Sequence, residues 1–111
     1  MKVVHDLHGQ VKVLRARGPL VAEGADSLQR QFNKALEEHG PGIVLDLSGV
    51  PYVDSRGLEA LVDLTEQLIR TGEALRVCGA NETVREVFDI TEVGSMFEQY
   101  DDLGAALGSV A

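Results

Sequence analysis

A single cysteine, Cys78, leaves no partner for an internal disulfide and no cysteine cluster for zinc. Its setting, "LRVCGA", reads as the end of a buried strand, where a lone thiol packs as a small hydrophobe. Basic residues are scarce as well: ten Lys and Arg against eighteen Asp and Glu give a net charge of −8. Such a chain repels phosphate backbones and anionic lipid, and no local basic cluster offsets this, so nucleic acid is not expected as a partner. No apolar run approaches the roughly 18 residues that a membrane span needs. The opening stretch, "MKVVHDLHGQ", carries charge and lacks the apolar segment of a signal peptide, so cytoplasmic residence without membrane insertion is expected.

Catalytic groupings are equally sparse. A serine nucleophile needs a base within hydrogen-bond reach. The three histidines are His5 and His8 in a predicted first hairpin and His39 behind a predicted first helix, and nothing in the sequence brings them together. His5 and His8 stand three apart, a spacing that makes a metal pair on a helix but points to opposite faces on a strand. "HGPGIVLDL" precedes a strand instead of opening a helix, so it is no phosphate loop. Asp46 and Asp54 do not form an acid–base pair, because Asp46 falls inside a strand. "DSRGL" lacks the glycines of a nucleophile elbow. No catalytic residue, metal site or cofactor is expected, and the chain is read as a non-enzyme.

What the sequence does hold is an ordinary globular composition, 44% hydrophobic and 25% charged, over 111 residues. That length suits one domain, 1–111, with two layers around a core. "VVHDLHG" and "QVKVLRARG" alternate as two strands joined near Gly9 and ended by Gly18 and Pro19. Leu28, Phe32, Ala35 and Leu36 share one helix face, with Asp26 and Gln29 suited to its start and "HGPG" to its stop. "IVLDL" is nearly continuous in apolar residues, as an interior strand is. A second helix is predicted from Ser55 to Thr71, burying Leu58, Leu61, Val62, Leu68 and Ile69, with Gly72 at its C-terminal end. "ALRVCG" is a fourth strand, and "NETVREVFDI" a helix capped by Asn81 with Val84, Val87 and Phe88 inward. "MFEQY" supplies a fifth strand, and Leu103, Ala106, Leu107 and Val110 a last helix stripe. The order β-β-α-β-α-β-α-β-α, without linker or repeat, predicts an α/β fold with a mixed sheet of about five strands and about four helices. Sites in such folds gather beyond the carboxyl ends of strands, where Asp54 and Ser55 fall.

Asp and Ser are both residues that cap a helix, and capping alone accounts for the pair. A phosphate on Ser55 is nevertheless compatible with a helix N-terminus, which favours negative charge. It would add about −1.5 to −2 charge beside Asp54 and so disturb anything docked over that turn.

The stretch "IVLDLSGVPYVDSRGLEALVDL" resembles the signature of the STAS domain, the family of bacterial anti-sigma factor antagonists: an apolar strand, a Ser-Gly-Val turn, then Asp-Ser-(Ser/Thr)-Gly-Leu opening a helix. The likeness continues through "GEALRVCGANETVREVFDITEVGSMFEQYDD" and, more weakly, upstream through "ARGPLVAEGADSLQRQF". The resemblance implies that Ser55 is a phosphoacceptor. It implies that the unphosphorylated protein binds an anti-sigma factor that is also a serine kinase, and that a serine phosphatase restores this state. It assigns Asp54 to shaping the site, Gly57 to admitting partner backbone and Leu58 to anchoring the helix. Arg56 stands where a second Ser or Thr is usual, Glu59 where a small residue is common, and Val21 where an acid is frequent. Arg56 is then expected to meet a phosphate on Ser55 or to select the kinase, and Glu23 and Asp26 to supply the missing negative surface. Some members of the family instead resemble constitutive subunits of lipid-transport ABC ATPase complexes, and this is the alternative reading.

Overall fold

The computed structural model of the chain describes residues 1–40 and 42–110. β1 (Lys2–His8) and β2 (Val11–Arg17) pair antiparallel along their full length, Lys2 opposite Arg17 and His8 opposite Val11. In the two-residue turn between them only Gly9 has a positive φ, 62°, the pattern of a II′ hairpin, whose twist matches that of the strands. Strand and helix then alternate: α1 (Ala22–His39), β3 (Ile43–Gly49), α2 (Ser55–Ile69), β4 (Arg76–Cys78), α3 (Glu82–Thr91), a 3-10 turn (Val93–Met96), β5 (Glu98–Tyr100) and α4 (Leu103–Val110). The sheet order is β1-β2-β3-β4-β5, and every pairing from β2 to β5 is parallel. The fold is α/β with a mixed five-stranded sheet and four helices.

Right-handed crossovers that always step to the next strand lay their helices on the same face. Accordingly Leu14, Leu45, Leu47 and Val77 of the sheet share one core with Leu28 and Phe32 of α1, Leu61 and Leu64 of α2, and Val84 and Phe88 of α3. Phe97 closes this core against Phe88, edge to face at 5.1 Å between centroids. α4 covers the other face, where Ala106 joins Val44 and Cys78. β3 is therefore buried on both faces, which is why "IVLDL" shows little alternation.

Burial, then the carboxylates of Asp46 and Asp102, push the Cys78 thiol up to about 12 from 9.0. The folded chain thus keeps a proton that the unfolded chain releases, so this contribution to stability is complete below pH 9 and is lost as pH rises through 12. In alkaline unfolding followed by circular dichroism, Cys78→Ala is expected to lose stability less steeply over that interval than wild type; equal slopes would contradict the assignment.

Several expected boundaries shift. α1 begins four residues before Asp26, with Val21 as N-cap and no side-chain cap; the N–H groups of Gly24 and Ala25 reach the Val21 carbonyl at 2.8 and 3.3 Å. A Cβ at residue 24 would stand 2.9 Å from the Pro19 carbonyl, so close packing rather than capping chemistry fixes this start. His39 is the last residue of α1, not part of the turn behind it; Gly40 forms the C-cap, and Pro41 of "HGPG" lies outside the described residues. α2 stops at Ile69, short of Thr71, and Gly72 (φ 80°) ends it with its N–H on the Ile69 carbonyl at 3.0 Å. The buried stripe of α2 is Gly57, Ala60, Leu61, Leu64, Thr65 and Leu68. Leu58 and Val62 are only half-buried, and Ile69 is 57% exposed. Small residues line the side of α2 turned inward, and the Thr65 hydroxyl is buried without penalty because it donates to the Leu61 carbonyl at 2.8 Å.

Candidate functional site

Beyond Gly49 the chain turns back, with the Val50 N–H on the Leu47 carbonyl at 3.0 Å, and leads through Pro51 and Tyr52 to α2. The loop following β2 runs alongside. Leu20 forms a parallel bridge with Val53: its N–H donates to the Tyr52 carbonyl at 3.0 Å, and its carbonyl accepts from the Asp54 N–H at 3.3 Å. Leu20 is buried at 1% exposure and fixes this turn to the body of the protein.

Asp54, in extended backbone (φ −104°, ψ −175°), is the N-cap of α2, and its Oδ1 accepts from the Gly57 N–H at 2.9 Å. Ser55 is therefore the first helical residue, not the cap. It is exposed, and among the described residues its hydroxyl enters no hydrogen bond. The Gly57 N–H is taken by Asp54, which leaves the amides of Ser55 and Arg56 as the donors that a helix N-terminus presents outward. Asp54→Ala is expected to lower stability by about 1 kcal/mol in urea unfolding, the usual loss for a cap, whereas Asp54→Asn keeps the acceptor and most of the stability.

Arg56 reaches across to α1, where its guanidinium pairs with Asp26, and lies 3.9 Å from Glu59 one turn along α2. The pair is partly exposed and contributes well under about 1 kcal/mol, but it holds the guanidinium toward α1 and draws Asp26 into the neighbourhood of Ser55. Glu23 lies exposed in the first turn of α1 and forms no ion pair among the described residues. Asp54, Ser55, Arg56, Gly57, Glu59 and Asp26 are thus brought together, with Arg56 the one cation among them.

Gly57 is buried, and a Cβ there would meet the Leu20 carbonyl oxygen at 2.1 Å and Val53 Cγ2 at 2.7 Å. The reading in which this glycine admits a partner's backbone is corrected: the space belongs to this chain's own Leu20. Two further residues of the site carried no signal for this role in the sequence. Tyr52 is 51% exposed beside the Asp54–Ser55 pair, an aromatic ring left facing solvent. Asn81, legible only as the cap of α3, also reaches the Ser55 turn.

The other candidates disperse. His5 Nε2 contacts Gln31 Oε1 at 2.9 Å on α1, while His8 sits at the far end of β1 on the opposite face. His39 Nε2 meets the Gln10 carbonyl at 2.7 Å, beside the start of β3, a strand length of about 20 Å from the Ser55 end. Asp46 is 7% exposed, and its Oδ1 accepts from the Ser48 N–H at 2.9 Å, which is a structural duty. Among the described residues no group of His, Cys, Asp and Glu could hold a metal ion, and no helix is long and apolar enough to cross a membrane.

An exposed serine behind a capping aspartate, at the carboxyl end of a parallel strand, is the geometry to set against known proteins. A family model for the STAS domain matches residues 2–106. The chain belongs to the STAS domain family. This STAS domain is 27% identical over 97 residues to a candidate anti-sigma factor antagonist, BtrV, of Bordetella bronchiseptica, across 87% of this chain and 84% of that protein. It is 24% identical over 106 residues to an anti-sigma F factor antagonist of Paenibacillus polymyxa, across 92% and 88% of the two chains. The crystal structure of an anti-sigma factor antagonist from Mycobacterium paratuberculosis superposes with a TM-score of 0.86 at 25% identity, covering 98% of this chain and 92% of that one.

Proposed function

We propose that this STAS domain, as a single unit over residues 1–111, is an anti-sigma factor antagonist that works by partner switching in the cytoplasm. Unphosphorylated, it binds an anti-sigma factor that is also a serine kinase. The kinase transfers the terminal phosphoryl group of a nucleoside triphosphate to Ser55 Oγ, the hydroxyl proton and the diphosphate leave, and the complex parts. A serine phosphatase hydrolyses the phosphoester and resets the switch. The chain supplies the acceptor and the docking surface; its partners supply the catalysis.

The observation that carries this reading is the division of labour at the head of α2. Asp54 caps the helix, so the Ser55 hydroxyl is exposed and has no structural duty. A phosphate can be attached there without breaking the cap, and the positive end of the helix tolerates it. Its cost falls on the complex. Asp26, Asp54 and Glu59 already surround the position with negative charge, countered among the described residues by Arg56. A partner fitted to that surface presents cations and an apolar seat for Tyr52, and phosphate bulk intrudes directly between the two.

The test is a paired capture from the source cell's lysate with wild type and Ser55→Glu as baits and mass-spectrometric identification of the prey. A serine kinase of the anti-sigma type, held by wild type and lost with Ser55→Glu, supports the switch. Equal capture of a transport ATPase by both baits would overturn it in favour of a permanent subunit.

A further inference from the structure

The Ser55 turn is held on two sides, and only one of them is backbone. On the first side Leu20 takes the Tyr52 carbonyl and the Asp54 N–H. On the second side stands the side chain of Asn81, exposed at the head of α3. Its Oδ1 accepts from the Val84 N–H at 2.8 Å, which caps α3. Its Nδ2 donates to the Val50 carbonyl at 3.3 Å and the Pro51 carbonyl at 3.2 Å. The orientation of the amide follows from this network, since one end faces an N–H and the other two carbonyls. Three successive carbonyls, those of Val50, Pro51 and Tyr52, are thereby each aimed at a donor from another loop. Pro51 has no N–H to offer in return, and the Val50 N–H is already spent on Leu47.

A cap needs only an acceptor, and Ser, Thr or Asp satisfies it. The donating half of Asn81 is surplus to capping, and it is spent on the turn that presents Ser55. We propose that Asn81 is a positioning residue for that turn, fastening it to the first turn of α3 so that Ser55 and the α3 N-terminus move as one body. A partner seated across both elements then meets Ser55 and the α3 N-terminus in one fixed arrangement, and bulk or charge on Ser55 is presented to it from that fixed position. This deepens the proposed switch and rests on it only for the consequence in binding; the clamp itself is testable on the isolated protein.

Asn81→Asp separates the two halves. It keeps an oxygen for the Val84 N–H and adds a negative charge that a helix N-terminus favours, but it turns an oxygen toward the carbonyls of Val50 and Pro51. Asn81→Ser keeps the cap and is too short for the clamp. Amide hydrogen exchange followed by NMR is expected to leave Val84 and Phe88 within about twofold of wild type in both variants. The amides of Asp54 and Gly57 are expected to exchange at least about tenfold faster, because local opening of the turn no longer has to break the clamp. Unchanged protection at Asp54 and Gly57 would overturn the proposal. So would equal loss of protection in the turn and throughout α3, which is what a cap alone gives. If the turn loosens in both variants while neither they nor Ser55→Glu alter capture of the partner, the clamp stands and it is the Ser55 switch that fails.

Discussion

Ser55→Glu is expected to weaken binding to the captured anti-sigma partner by at least about a hundredfold, which corresponds to about 2.7 kcal/mol. The figure is modest for the physics involved, since a like-charge contact forced into an interface costs several kcal/mol. The fold should not suffer. Glutamate in the first turn of a helix is favoured by the dipole, by about 0.3–1 kcal/mol, and the replaced hydroxyl has no partner among the described residues. Thermal unfolding of the variant should therefore match or exceed wild type, which separates lost binding from lost structure. Ser55→Ala is the complementary control: it should keep stability within about 0.5 kcal/mol, keep the partner and lose the ability to be released. Isothermal titration of the three proteins against the same partner decides the matter, and a Ser55→Glu affinity within threefold of wild type would contradict the role given to this position.

The second large effect is structural. Gly57→Ala adds a single methyl group, yet that carbon would stand 2.1 Å from the Leu20 carbonyl oxygen and 2.7 Å from Val53 Cγ2. Neither neighbour yields easily, because Leu20 is buried and its own N–H and carbonyl hold Tyr52 and Asp54. Relief requires α2 or the loop after β2 to move by roughly an ångström, which breaks the bridge that fixes the Ser55 turn. A loss of about 3 kcal/mol or more is expected, at the upper end for overpacking, with a Tm lower by about 10–20 °C. Gly108→Ala in α4 provides the contrast, since among the described residues nothing lies within 4 Å of the added carbon and the substitution removes glycine from a helix. It should be neutral or stabilise by up to about 1 kcal/mol. Parallel melting curves settle the comparison; a wild-type Tm for Gly57→Ala would refute the close approach.

Much of this architecture was legible in the sequence because local signals and tertiary demands agree. The period-two alternation of the first hairpin, the unbroken apolar run of "IVLDL" and the Asn81 cap each name an element that the structure contains. The failures have a common origin in packing distance. Periodicity gives the large apolar residues, Ile69 included, to the inside of α2, whereas close approach to the rest of the fold selects Gly57, Ala60 and Thr65 and leaves Ile69 in solvent. The capping signal at Asp26 points to a later start for α1 than the structure has, because tight packing of Gly24 under Pro19 sets it earlier. At the site, Ser55 and Asp54 could be read from neighbours in the chain. The Arg56–Asp26 pair, the Leu20 bridge and the reach of Asn81 to Val50 and Pro51 join segments far apart in sequence, and no local pattern encodes them.

The most direct measurement is phosphopeptide mapping of the protein isolated from its own cells, separated into the pool bound to its partner and the free pool. Partner switching at Ser55 requires phosphate on Ser55 in the free pool and unmodified Ser55 in the bound pool. Phosphate shared equally between the two pools, or carried on a different residue, would contradict it.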